Sequence, residues 1–329
     1  MAKKVATWII VPLMILIFVL DIISVVYANY LETKHIIIDE LFDFQNVDDR
    51  IHFLNTGCSD AILIESNGKF ALIDSGEGDY NPRRKVEYTG FTKVVKDYLK
   101  KAAADSDGII HLEFILGTHC HYDHIGSFPD LIRDPEIKIN TAYFKSYDYD
   151  VAKEYESGFW DNDKTYKDIC KALEEKHIPL IQDLPQEPFS FGDFTITFYN
   201  TVTPENLRGK GENAASIGVK LEKGQKSAFL AADITRTSGI EKVIGPEIGF
   251  IDLLKIGHHG YYGSSSMRFL KETDPNIAIV TNHIGKVYPN VKWNLTMYKK
   301  IPTYSTVNNN GLIASFTDND KILLSKNIH

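Results

Sequence analysis

Residues 118–126 read THCHYDHIG and bring His119, His121, Asp123 and His124 within six positions, with Gly126 just behind. They follow LEFILGT (112–118), a run apolar enough to form a buried strand, so the cluster is placed just past a strand's C-terminal end. Two histidines two residues apart, then an adjacent Asp-His pair, can turn ligands to opposite sides of one short loop. Such a loop can serve two metal ions ~3.5–4 Å apart; one ion would not need so many donors. Cys120 lies between the first two histidines and would point away from them in extended chain, which makes it a packing side chain rather than a ligand.

Outward from the cluster, RIHFLN (50–55), AILIES (61–66) and KFALID (69–74) read as strands in quick succession, the last two joined by a Ser-Asn-Gly turn. The stretch 89–105 then places Val94, Val95, Tyr98, Leu99 and Ala102 on one helical face. Downstream come a strand near 141–144 and an irregular aromatic and acidic connection, ESGFWDND. A helix carrying Tyr166, Ile169, Cys170 and Leu173 follows, then FSFGDFTITFYN (189–200) as a hairpin turning at Gly192-Asp193. A second cycle of strands and helices runs through ASIGVKLEK, KSAFLAADI, FIDLLKIGH, a helix near 265–272, NIAIVTN, LIASFTD and KILLSK. With no short repeat or low-complexity tract after residue 50, residues 50–329 are expected to form one domain of two similar sheet-and-helix halves.

The N-terminus differs in kind. Lys3 and Lys4 precede an apolar run from Trp8 to Leu20 that continues past Asp21 to Ala28, close to the ~20 residues of a membrane-spanning helix. Residues 1–28 are expected to be a signal anchor or, since Val26-Tyr27-Ala28 suits a signal peptidase, a signal peptide cleaved after Ala28. Residues 29–49 form a connector. With the lysines retained inside, both readings put the rest of the chain outside the cytoplasm, single-pass in the cell membrane or secreted. The 329 residues are 43% hydrophobic and 24% charged, an ordinary globular composition, and carry a net charge of −8. That acidity speaks against a broad nucleic-acid surface, though bound cations could still hold phosphates. Three cysteines give no disulfide framework.

Taken together, His-x-His-x-Asp-His after a strand, IDSG (Asp74) before it, and AADI (Asp233) and KIGHHG (His258, His259) after it resemble the metallo-β-lactamase superfamily. Within it the pattern resembles the hydrolase domains of competence proteins. It is more similar still to the catalytic module of the phosphorylcholine esterases that trim choline from bacterial teichoic acids. RIHFLNTGCSDAILIESNGKFALIDSGEGDY, LEFILGTHCHYDHIG, FSFGDFTITFYN and DLLKIGHH carry that likeness, which covers nearly everything from residue 50 onward.

The resemblance implies an α/β fold, a four-layer αββα sandwich preceded by the transmembrane helix. It implies two divalent ions, zinc by preference and manganese as the alternative. His119 and His121 would hold one, Asp123 and His124 the other, with Asp233 bridging and one of His258 and His259 completing the second site. Asp123, Asp233 and His259 are thereby implied in catalysis, while Asp74 would orient a ligand. The superfamily's usual extra histidine has no counterpart, and GENAAS (Asn213, Ser216) fills that region.

The implied reaction is hydrolysis of a phosphoester by a hydroxide held between the two ions. The substrate would be a phosphodiester of a cell-envelope polymer or a choline-bearing compound. Trp160, Tyr261 and His283 are candidate substrate contacts in loops, the aromatics by cation–π attraction. A competence-type extracytoplasmic nuclease is the alternative, and a metal-binding or sensory domain without turnover is a third reading.

Overall fold

The computed structural model describes residues 2–34, 47–81, 85–150, 152, 162–202, 211–326 and 328–329. The alternation of side chains along its strands shows how the layers form. In β2 (Ile62–Ser66) Ile62 and Ile64 face one side and Leu63 the other. Ala71 and Ile73 against Leu72 repeat this in β3 (Lys69–Ile73), as do Phe114 and Leu116 against Ile115 in β7 (Phe114–Gly117). Both faces of the sheet are apolar, so both must be covered.

These strands belong to an eight-stranded mixed sheet. Its other members are β1 (Arg50–Phe53), β9 (Ala142–Phe144), β10 (Leu180–Ile181), β18 (Leu312–Thr317) and β19 (Lys321–Lys326), in the order β10-β9-β7-β3-β2-β1-β18-β19. Two short ribbons flank it, β4 (Tyr80–Asn81) with β5 (Val86–Glu87) and β6 (Ile110–Leu112) with β8 (Ile137–Ile139). The turn between β2 and β3 is the expected one. Asn67 and Gly68 take φ of 52° and 70°, the left-handed pair that a two-residue hairpin requires.

The second sheet has seven strands in chain order: β11 (Phe189–Phe191), β12 (Phe194–Tyr199), β13 (Gly218–Lys223), β14 (Lys226–Leu230), β15 (Leu253–Lys255), β16 (Ile277–Val280) and β17 (Thr303–Ser305). The inner faces of the two sheets meet in one apolar cluster that joins Ile62, Ile73 and Leu116 to Phe194, Val219, Leu230 and Ile279. A second cluster packs the first sheet against α2 (Thr92–Ala103), α3 (Tyr122–Ile125), α4 (Phe128–Arg133) and α5 (Asn162–Glu175). A third packs the second sheet against α6 (Ile240–Ile248), α7 (Met267–Thr273) and α8 (Pro289–Lys299). Three clusters between four layers give the αββα sandwich.

Two local expectations shift. The buried stripe of α2 is Thr92, Val95, Tyr98, Leu99 and Ala103, so Val94 and Ala102 sit at its margin. Helices also form over Ile240–Ile248 and Pro289–Lys299, beyond those expected from the sequence. The N-terminal helix α1 (Ala2–Lys34) runs past Ala28; its segment Trp8–Val26 is long and apolar enough to cross a membrane, and only 6% of it is buried.

Candidate metal centre

The candidate ligand side chains, with Asp74 and Thr281, project from the C-terminal ends of strands, where open α/β sheets place their ligands. Asp74 follows β3, His119 to His124 follow β7, Asp233 follows β14, His258 and His259 follow β15, and Thr281 follows β16. Backbone contacts fix the loops. Gly78 and Gly126 lie so close that a Cβ on Gly78 would meet the Gly126 carbonyl oxygen at 2.2 Å, and one on Gly126 would meet the Gly78 nitrogen at 2.5 Å. The Asp74 loop is thus pressed against the end of α3, which carries His124. Asp74, Ala232, His258 and His259 all adopt positive φ, 44° to 55°. Non-glycine residues held there store about 1–3 kcal/mol each, a cost that concentrates at functional sites.

Asp233 is the hub. Its buried Oδ1 lies 3.2 Å from His124 Nε2 and 3.4 Å from His259 Nε2, and those two nitrogens are 3.1 Å apart. Its Oδ2 lies 3.7 Å from His119 Nε2 and 3.8 Å from His258 Nε2, while His119 Nε2 and His121 Nδ1 are 3.0 Å apart. Asp123 Oδ2 lies 3.4 Å from His259 Nε2. The chain therefore forms two donor sets that share one carboxylate. Asp233 with His119 and His121 makes one; Asp233 with His124 and His259 makes the other, and Asp123 reaches it through His259.

Imidazole nitrogens that face each other at ~3 Å need a proton or a cation between them, and Asp233 Oδ1 makes no aligned hydrogen bond. Mixed nitrogen and oxygen donors in this number fit divalent ions of the zinc or manganese type.

The outer nitrogens are equally constrained. His124 Nδ1 lies 2.7 Å from Asp74 Oδ2, and Asp74 also accepts from the Thr118 N–H and hydroxyl, both at 2.8 Å. Donation of the Nδ1 proton to Asp74 leaves the Nε2 lone pair facing the cluster. His259 Nδ1 lies 3.0 Å from Thr281 Oγ1 and 3.3 Å from Asp60 Oδ1. Asp60 stands within 4.8 Å of the second donor set, but it does so from behind the rings, and its charge is matched by fully buried Lys255, with which it is paired. It is a support for the ligands rather than one of them.

Burial opposes ionisation throughout, yet Asp233 and Asp74 hold the His124 ring protonated well above the usual histidine range, as Asp233 and Asp60 do for His259. In return, and against their own burial, Asp233 is held well below the usual carboxylate range and Asp123 below it. The carboxylates demand positive charge here. A divalent cation would answer that demand only after His124 and His259 give up their protons.

Residues 55–281 match the family model described as "Metallo-beta-lactamase superfamily". The chain belongs to the metallo-β-lactamase superfamily. It is 23% identical over 234 residues to Recombination protein 2 of Haemophilus influenzae, covering 71% of this chain and 24% of that one. To ComE operon protein 3 of Bacillus subtilis it is 25% identical over 176 residues, 53% of this chain and 20% of that one. This superfamily member thus spans about a quarter or less of those relatives, both consistent with the competence-protein-like branch. A solved metallo-beta-lactamase fold protein of Bacillus subtilis covers 84% of this chain and is itself fully covered, at 14% identity and a TM-score of 0.47. The human short-form tRNase Z covers 70% of this chain and 91% of its own, at 14% identity and a TM-score of 0.39.

The remaining expected residues fall in different places. His259 is fully buried in the second donor set, whereas His258 is 29% exposed, with Nε2 3.2 Å from the Asn213 amide. Ser216 is buried beside the same turn, its hydroxyl without a partner among the described residues. Tyr261 stands at the rim, its ring 5.4 Å from that of His258 and its hydroxyl accepting from the Cys58 thiol at 3.2 Å. His283 is exposed and occupied by neighbouring loops: Nδ1 accepts from the Gly285 N–H, and Nε2 faces the Asn308 amide. Trp160 lies outside the described residues. Asp60, Lys255 and Thr281 are not among the residues expected from the sequence. One signal was there: a lysine inside the apolar strand DLLKIG must find a carboxylate once buried.

Proposed function

We propose that the protein is an exported, membrane-anchored, metal-dependent hydrolase that cleaves a phosphoester, a phosphodiester of the phosphorylcholine-esterase kind. One observation carries this reading: the single carboxylate of Asp233 faces two separate groups of imidazoles, one through each oxygen. Two divalent ions so placed, zinc or manganese, would supply Lewis acidity, lowering the pKa of water toward neutrality and drawing charge from a phosphoryl oxygen.

The chain's own residues do the rest. Asp74, Thr281 and Asp60 hold the ligand rings in one tautomer and one orientation. Asp123 and Asp233 keep the pocket negative enough to retain cations. His258, half turned to solvent beside Asn213, is the imidazole placed to meet a phosphoryl or leaving-group oxygen. Tyr261 next to it offers a ring face to a substrate cation such as choline.

The retained helix Trp8–Val26 would hold the catalytic domain at the outer face of the membrane, near cell-envelope polymers. A competence-type nuclease is a second reading, favoured by the two curated relatives; the net charge of −8 favours the first. The purified chain, stripped with chelator and reloaded with zinc or manganese, is to be assayed on bis-p-nitrophenyl phosphate, p-nitrophenylphosphorylcholine and single-stranded DNA. Chelator-sensitive turnover of the choline ester above DNA is the expected result. Turnover of DNA alone would select the nuclease, and silence on all three substrates would move the protein to a non-catalytic metal-binding role.

A further inference from the structure

The N-terminal helix does not stand clear of the domain. It packs against α8, β17 and the 3-10 turn Ile284–Lys286. Asp21 Oδ1 lies 3.7 Å from Lys292 Nζ, whose side chain is only 2% exposed and which also donates to the Gly285 carbonyl at 3.3 Å. Ser24, one turn on, is also buried, its hydroxyl donating to the Asp21 carbonyl at 3.1 Å. The apolar span Trp8–Val26 is 19 residues. At 1.5 Å per residue that is ~28 Å, the thickness of the hydrocarbon core, and Asp21 falls ~8 Å short of its outer end. An ion pair from that depth to α8 draws α8 down to the level of the lipid headgroups.

The surface of α8 is suited to that level. Trp293 and Met297, one turn apart, are 45% and 56% exposed, and Tyr288 at its N-terminal end and Tyr262 are 43% and 56% exposed. Tryptophan and tyrosine prefer the membrane–water boundary, where an apolar ring and a polar edge are both satisfied. We propose that α8, with Tyr288 and Tyr262, forms a face that rests on the outer-leaflet headgroups of the bilayer crossed by α1. The inference rests on the reading of α1 as a retained anchor.

The consequence reaches the metal centre. The Tyr288 N–H donates to the carbonyl of Gly260, which directly follows His259, and the Tyr288 ring is 5.7 Å from that of Tyr261. One element thereby connects the anchor to the histidine loop, and the headgroup contact would hold that loop near the membrane surface.

Three tryptophans make the test direct. The full chain with Trp8→Phe and Trp160→Phe, reconstituted in phosphatidylcholine vesicles, leaves Trp293 as the sole emitter. Lipids brominated near the headgroup should quench it several-fold more than lipids brominated at mid-chain, and Asp21→Asn should weaken that quenching. The companion chain with Trp160→Phe and Trp293→Phe reports on Trp8 in the span. Trp8 quenched by lipid while Trp293 responds only to aqueous acrylamide would overturn the headgroup contact and leave the anchor intact. Absence of lipid quenching at both positions would remove the anchor reading and this inference with it. Unchanged Trp293 quenching in Asp21→Asn would overturn the ion pair's role in seating the domain.

Discussion

At the scale of single residues, the centre turns on which oxygen or nitrogen faces which neighbour. Asp233→Ala removes the carboxylate common to both donor sets, so turnover should vanish and bound metal should fall below one equivalent by elemental analysis. His258 and His259 are adjacent in sequence but divergent in space. His259→Gln should cost about half the bound metal, whereas His258→Gln should keep the metal and lose kcat. Asp60 and Lys255 form a buried ion pair behind the ligands. Lys255→Met leaves a buried carboxylate unpaired, which should cost about 3–5 kcal/mol in denaturant unfolding, and adding Asp60→Asn should recover part of it. The ligand candidates were legible because imidazoles and carboxylates at such spacing have little other use. Asp60 was not, since an aspartate before a strand is an ordinary turn residue until Lys255, 195 positions away, closes on it.

At the scale of elements, glycine and buried charge set the loops. Gly126 has an ordinary helical φ of −63°, so its reason lies in the Gly78 backbone against it and not in its own conformation. Gly126→Ala should push the Asp74 loop off α3, loosen the contact between Asp74 and His124, and weaken metal binding more than it lowers stability. Metal titration and thermal melts on the same samples would separate the two.

Between α6 and α7, burial raises the Glu241 carboxyl to about 7, even though it accepts the Ser266 N–H. Below pH 4.5 the carboxyl is protonated whether folded or not. As pH rises from there to about 7, the unfolded chain ionises while the folded one keeps its proton, and stability is lost across that window. Glu241→Gln should flatten that decline in melts from pH 4.5 to 8. The longer strands, α2 and α5 were legible from two- and 3.6-residue periodicity, whereas the short strands β4, β5, β8, β10 and β17 were not. The helices at 240–248 and 289–299 were not: the first carries Pro246 inside it, and the second keeps a buried lysine where a core face would be apolar.

At the scale of the molecule, the two sheets meet at a seam whose strand ends hold residues from both halves. His119, His121, Asp123 and His124 come from the first sheet, and Asp233, His258 and His259 from the second. Metal that joins the halves stabilises the folded state by mass action. Chelation should lower the melting temperature by several degrees, and zinc or manganese should restore it in a concentration-dependent way. Because His124 and His259 must lose protons to bind a cation, metal affinity should rise with pH, as seen in titrations at a series of pH values.

The longer strands, the apolar N-terminal segment and the residue types of a candidate metal site were determined by the sequence alone, because periodicity, hydropathy and donor chemistry are local properties. The choice of His259 over His258 for the buried set, the support from Asp60, Lys255 and Thr281, and the docking of α1 on α8 were decided only by the tertiary structure. Each depends on distances between atoms far apart along the chain, and those distances exist only once the two sheets have packed face to face.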